Sequence, residues 1–487
     1  MTTILRRLPP GEVTGLRTGA RHRLDEAYRP SDLVVLGLGV MIGAGIFSIA
    51  GRQAATTAGP GVILSFMIAG IACMLACLCF AEMASAIPSS GSAYTITYVV
   101  FGEVWAWIIG WALVLEMQLA AAVVADIWSS FAVRAVTDLG LSVPAPAVTS
   151  KVLTVGILLA LSALVILGTR IGLRALWIMV TAKLVAIGAV IVVGFLNFDP
   201  ANLGDFVVDP KPSSAPPDTI IDFVLGTSTT FGWVGVFAAA PAIAFAYIGF
   251  DIVATAAEEA ADAPRTIPQG MIRSLVVATL IYIGVALVMV GMVPHTAISV
   301  DAPLPSGFRQ AGAGWMVHVV NVGAVLGLTT VILVLIVGQT RVLFSMARDG
   351  LLPRRLAGLS RYRSPARITA LIGLIAIGLA LFAPLPALEE LVVMGTLCAF
   401  LAVSAGVLVI RRSRPDLSGD FRAPLHPWVP ILSLLAILWL MVNLKVATWA
   451  SFAVWMAFGL VVYLVYGRRH SLLATPRAAT GRGRHRR

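Results

Sequence analysis

Charge is scarce in this chain. Only 12% of its 487 residues are Asp, Glu, Lys or Arg, against roughly 25% in soluble domains. Cysteine is scarcer still. Cys73, Cys77, Cys79 and Cys398 all lie in apolar runs, and their spacing fits neither a disulfide framework nor a zinc set. They read as small packing residues, and no metal or cofactor is expected. A clustered nucleophile and base is missing too, so enzyme chemistry has no support. Residues 1–31 are polar and Arg-rich, with no apolar core of a secretory signal. Short alternating segments of the kind that build membrane barrels are absent.

What fills the chain is long apolar runs. Hydrophobic residues make up 59% and mean hydropathy is +0.93. A spanning helix needs roughly 20 mainly apolar residues. Twelve such spans are read at 32–56, 61–86, 96–125, 151–168, 175–197, 235–257, 274–294, 315–345, 368–384, 391–410, 429–446 and 450–467. The expectation is an all-α integral membrane protein.

The net charge of +11 suggests nucleic acid until its distribution is read. With the N-terminus placed inside, alternate loops and both tails hold 28 of the Lys and Arg residues and the opposite loops hold six. This bias puts both termini in the cytoplasm of a cell (plasma or inner) membrane. The basic end "TGRGRHRR" (480–487) then reads as a tail beside anionic lipid, and no nucleic-acid partner is expected.

The stretch "GLGVMIGAGIF" (37–47) weakens the first span at its centre, since each glycine costs a helix about 1 kcal/mol relative to alanine. Gly39 and Gly43 also fit a close-packing spacing. A second interruption, "PAIAFAYIGFDIVATAAEEA" (241–260), comes five spans later, with Pro241, Gly249 and Asp251. Broken spans at positions one and six indicate two inverted five-helix repeats with a site between them. The domains expected are a tail at 1–31, a transporter unit at 32–467 and a basic tail at 468–487. The unit divides into repeats near 32–197 and 235–410, with peripheral helices near 429–467. An unwound backbone inside a membrane needs polar partners. A zwitterion supplies them: its carboxylate accepts from freed amides at the start of a half-helix, and its ammonium donates to freed carbonyls.

Three ionisable residues lie inside spans. Lys183 sits mid-span in the fifth, too far from either end to snorkel easily. Glu116 lies midway along the third, thirteen residues past Glu103. It either pairs with a polar neighbour or faces the pocket. Asp251 either caps the following half-helix or faces the substrate. Glu82 reads as a gate or loop anchor. Glu258, Glu259, Arg265, Arg341 and Arg348 read as charge pairs that latch the inner face. The apolar "TTVILVLIV" (329–337) on the eighth span is a candidate pocket wall.

Four stretches, in order along the chain, resemble one known family. "GLGVMIGAGIF" with "AGPGVILSF" resembles the amino acid–polyamine–organocation (APC) superfamily. "CFAEMASAIPSSGSAYTITYVVFGEVWAWIIGW" (79–111), "FAYIGFDIVATAAEEAADAPRTIPQGMIRSL" (245–275) and "GQTRVLFSMARDGLLP" (338–353) are similar to its cationic amino acid transporter family. The resemblance covers about 30–467. It implies a five-plus-five inverted repeat with two extra helices, and amino acid import by alternating access. On it, Gly43, Ala44 and Gly45 offer amides to the substrate carboxylate. Ile42, Phe245, Ala246 and Ile248 offer carbonyls to its ammonium, and Phe250 gates the pocket. It also implies a proton-coupling role for Lys183, because proton-coupled members carry a lysine on the fifth helix where sodium-coupled relatives bind an ion. The expected partners are an L-amino acid, neutral or cationic, protons and the lipid bilayer. An amino acid or polyamine exchanger on the same fold is the alternative.

Overall fold

A computed structural model describes residues 28–43, 45–212, 218–225, 229–300, 302–361, 364–383, 388–415, 417 and 419–473. Ala44 and the two tail ends lie outside them. Among the described residues, nine helical segments are long and apolar enough to cross a membrane. One of these, the segment Pro30–Ala86, takes in both of the first two expected spans. Two further apolar helices are shorter, Ala366–Phe382 and Trp428–Val442.

The chain starts with α1 (Pro30–Met41), where Pro30 opens the helix and Asp32 accepts from the Arg29 amide. The helix ends at Met41, Ile42 and Gly43 form a bend, and helical backbone resumes as a π turn, Gly45–Ile49. The "TTAGPG" segment (56–61) is mostly helical: a π turn over Ala54–Ala58 runs into a 3-10 turn at Gly59–Gly61. Then come α2 (Val62–Ala86), the short α3 (Ala93–Val100) and α4 (Glu103–Asp138). The third span was expected from 96 to 125. It instead begins at 103, because Gly102 takes φ +106 and separates α3, and it runs on to 138.

After α5 (Pro146–Ile166) and α6 (Thr169–Leu196) comes α7 (Gly232–Tyr247). Its helix continues through Pro241. The break falls later, at 248–251, where Gly249 takes φ +120. The short α8 (Ile252–Thr255) leads to α9 (Ala263–Met292), α10 (Met316–Arg348), α11 (Ala366–Phe382), α12 (Glu389–Ser413), α13 (Trp428–Val442) and α14 (Val446–Val462).

Burial sorts the helices into a centre and a rim. The apolar windows of α4 and of the α7–α8 segment are each 83% buried, whereas the window containing α14 is 17% buried. In lipid the apolar exterior gives no drive to associate, so close packing and internal polar contacts hold such a bundle. Here α10 lies along α4, and α9 lies against α1 and α2.

Candidate functional site

The two chain breaks touch each other. Gly249 stands so close to Val40 of α1 that a Cβ there would lie 2.2 Å from the valine Cγ1. A Cβ on Gly45 would lie 2.2 Å from the Cβ of Ala246. Glycine is required at both contacts, and at Gly249 also by the positive φ. Gly43 faces Val331 and Leu328 of α10.

Breaking a helix frees backbone carbonyls, and in an apolar interior each needs a donor. Side chains from three helices supply them. Lys183, buried near the middle of α6, donates from Nζ to the carbonyls of Gly39 (2.8 Å) and Ile42 (2.9 Å) and to Thr330 Oγ1 (2.8 Å). Thr330 Oγ1 in turn lies 2.7 Å from the Gly39 carbonyl and 2.6 Å from that of Gly327. Tyr282 on α9 reaches across the gap. Its hydroxyl bonds the Met41 carbonyl of the first break and the Ala246 carbonyl of the second (2.7 Å for Ala246). With one proton, it donates fully to one of them at a time.

The carbonyls expected for a substrate ammonium are thus largely engaged within the protein. Ile42 holds Lys183, Ala246 holds Tyr282, and Phe245 accepts from the Ile248 amide at 3.3 Å. Gly45 opens the second half-helix, and the amides of Ile46 and Phe47 donate to the Gly43 carbonyl at 3.2 and 3.4 Å.

Glu116 and Asp251 are both fully buried, and neither oxygen of Glu116 has a hydrogen-bond partner. Asp251 caps no amide with its side chain, and its Oδ1 is also unpartnered. Phe250 packs its ring on Phe400 of α12 (4.8 Å between centroids) and edge-on to Phe80 of α2 (6.0 Å).

Buried charge pairs bolt together the face on which the described residues begin and end. Arg341 Nε lies 2.7 Å from Glu259, its Nη2 donates to the Tyr28 hydroxyl (3.0 Å), and its guanidinium stacks over the Tyr28 ring. Tyr28 and Ala260 also pair as a single bridge. Arg348 donates twice to Glu258, which accepts as well from the amide and hydroxyl of Ser90. Arg265 does not join this set. It lies on the exposed rim and pairs with Asp420 at 2.7 Å instead. Glu82 anchors a loop, accepting two bonds from Arg411 and one from the Ala423 amide. On the opposite face Arg52 pairs with Glu389 at 3.3 Å.

Sequence reasoning missed Tyr282, Thr330 and Tyr28. A tyrosine or threonine inside an apolar run gives no sign of the carbonyl it will meet. The tight "Gly39, Gly43" spacing on α1 was the one available hint that neighbours approach there.

A family model described as amino acid permease matches residues 30–466. The chain is 39% identical to the methylthioribose transporter of Bacillus subtilis over 91% of this chain and 93% of that protein. It is 38% identical to the branched-chain amino acid permease BcaP of the same organism, over 94% and 96%. It is 32% identical to human cationic amino acid transporter 4, over 84% of this chain and 62% of that protein. These proteins are named as permeases and transporters, not enzymes. The apolar helices and the full-length match make this a multi-pass membrane protein, and the chain belongs to the amino acid permease family of the APC superfamily.

Proposed function

We propose that this protein imports L-amino acids by proton-coupled alternating access, with Lys183 as the group that takes and gives the proton. The observation that carries the reading is the lysine's position. Its ammonium holds the Gly39 and Ile42 carbonyls at the first break and Thr330 on α10. A protonated lysine has three N–H donors for those three oxygens. A neutral lysine has two N–H donors, and its loss of charge weakens these bonds and lets the break loosen from α6 and α10. Proton loss is thereby linked to movement of the half-helix that binds substrate.

On this reading α1 to α6 and α7 to α12 form two inverted five-span repeats, with α13 and α14 at the periphery. Both termini face the cytoplasm of the cell membrane. The residues around the two breaks, near 42–45 and 245–251, hold the amino acid backbone. The half-helix beginning at Gly45 supports the carboxylate, and the carbonyls of Ile42, Phe245, Ala246 and Ile248 support the ammonium once it displaces their present donors. Phe250 gates the pocket from its seat on Phe400. Val331 and Leu328, beside Gly43, favour small or branched neutral side chains. The branched-chain permeases among the relatives support the same class. Glu116 and Asp251 leave room for cationic substrates.

The test is uptake of labelled leucine, alanine and arginine into proteoliposomes, with and without an inward proton gradient. Accumulation above equilibrium that needs the gradient is expected. Uptake only into vesicles preloaded with amino acid would replace symport with exchange.

A further inference from the structure

On the rim of the bundle, α14 is clamped to α4 along one side and leaves a slot along the other. Trp111 Nε1 donates to the Trp455 carbonyl (3.0 Å), Trp455 Nε1 donates to that of Trp111 (3.1 Å), and the two indoles stack. Trp107 Nε1 donates to the Gly459 carbonyl at 2.8 Å. Both helices also touch α12. Between the three lies a cavity of about 560 Å³. Along α12 it runs from Cys398 to Ala405, and Trp105 and Leu460, 52% and 44% exposed, form its mouth.

Nothing in this slot suits water. Thr97 carries the one hydroxyl of the lining, and it donates to the Ala93 carbonyl (2.7 Å). A buried water needs several polar partners. The slot is also too narrow for a fourth helix, which is about 10 Å across, because the three bounding helices already touch one another. An apolar chain fits, and the bilayer supplies one.

The charges beyond the slot identify the other end of that molecule. Arg412 follows Ala405 by seven residues, which puts it on the same face of α12, about two turns further on. From Cys398 to Arg412 the helix advances about 21 Å. One leaflet, from midplane to head groups, is about 20–22 Å deep. Arg412 is exposed, and so are Arg468 and Arg469, which come about 12 Å beyond Leu460 in the helical continuation of α14. None of the three has an ion-pair or hydrogen-bond partner among the described residues, whereas the neighbouring Arg411 is committed to Glu82.

We propose that this slot seats one acyl chain of an anionic phospholipid, with the phosphate beside Arg412, Arg468 and Arg469. Guanidinium groups suit phosphate oxygens in charge and in fork geometry. The tip of the chain rests against Ala112 and Cys398, next to the seam where Gly395 lets α12 lie directly on α4. The lipid is thus a ligand of the α4–α12 seam, separate from the amino acid held at the two breaks.

Native mass spectrometry of the full chain in detergent, with phosphatidylglycerol or phosphatidylcholine of equal chain length added, tests the site. The wild type should keep one phosphatidylglycerol about tenfold more tightly than phosphatidylcholine. The triple variant Arg412→Gln, Arg468→Gln, Arg469→Gln should bring the two lipids level, because it removes the head-group charges and leaves the slot intact. Ala405→Trp should weaken both, because it fills the slot. Ala402→Phe repeats the filling from a neighbouring lining position and keeps the test decisive if Ala405→Trp fails to fold.

Equal retention of both lipids by the wild type, or retention unchanged in the filling variants, would overturn the proposal. A dimer that forms without lipid and is lost on filling the slot would overturn it too, and would assign the slot to a second copy of the chain.

Discussion

Lys183 Nζ lies 2.9 Å from the carbonyl oxygen of Ile42, and this contact ties the middle of α6 to the break that follows α1. Thr330 completes the cradle from α10. Hydrogen bonds to charged groups contribute roughly 1.5–3 kcal/mol. Thr330→Val keeps the shape and removes one acceptor. Gradient-driven uptake should fall at least about tenfold, with a shifted pH profile, while the protein remains folded by circular dichroism. An unchanged profile would separate Thr330 from the lysine's role.

Gly45 and Ala246 lie where the two breaks meet. A methyl group at 45 would overlap the Ala246 Cβ, 2.2 Å away. Overpacking of this kind costs about 1–3 kcal/mol. Gly45→Ala should lower the melting temperature and abolish substrate binding. Gly188→Ala is the control, because nothing lies within 4 Å of that site and α6 continues through it. Removing a helical glycine there should stabilise by about 1 kcal/mol. Equal melting temperatures for the two variants would contradict the packing account.

The pair Arg341 and Glu259 is almost fully buried, at 4% and 2% side-chain exposure. Removing one partner of a buried pair costs about 3–5 kcal/mol, because a charge is left uncompensated. Glu259→Gln should therefore loosen the face around Tyr28 and Arg341. Hydrogen exchange at the Tyr28 and Ala261 amides, which bond Glu259 and Tyr28 carbonyls, reads this directly. Both should exchange faster than in the wild type. Unchanged protection would mean that the latch rests on Arg348 and Glu258 alone.

Asp349 follows the last residue of α10 and accepts from the Tyr94 hydroxyl at 2.8 Å. Burial pushes its carboxyl up to about 6, against the pull of neighbouring Arg348. The fold thus favours the protonated form. The resulting stability is fully present below the ordinary value of 3.8 and is lost as pH rises through about 6. Between about pH 4 and 6.5 the wild-type melting temperature should fall relative to that of Asp349→Asn. A constant difference would show that Asp349 does not titrate there.

The glycine cluster 37–47 pointed to the first break, although Gly37 and Gly39 stay inside α1, where they let Ser274 and Leu176 pack closely. The second interruption was read over 241–260, and the break lies within it. Pro241 draws the eye, yet α7 continues through it, and the unwinding waits for Gly249, whose positive φ is needed to clear Val40. That contact joins residues far apart in the chain and leaves no local mark. Lys183 was legible because a lysine in mid-span demands partners. Their identities were not, since two are carbonyls and the third is a threonine inside "TTVILVLIV". The pairing of Arg265 with Asp420 was equally hidden. Charge runs show that pairs form but not which loop folds back to make them.

The central claim is that proton binding at Lys183 drives the movement of the first break. The most direct test compares wild type with Lys183→Ala in leucine uptake driven by an inward proton gradient, alongside leucine binding by the same proteins in detergent. The account predicts that the variant still folds and binds leucine weakly but no longer accumulates it when the gradient is imposed. Gradient-driven accumulation by the variant equal to that of the wild type would contradict it.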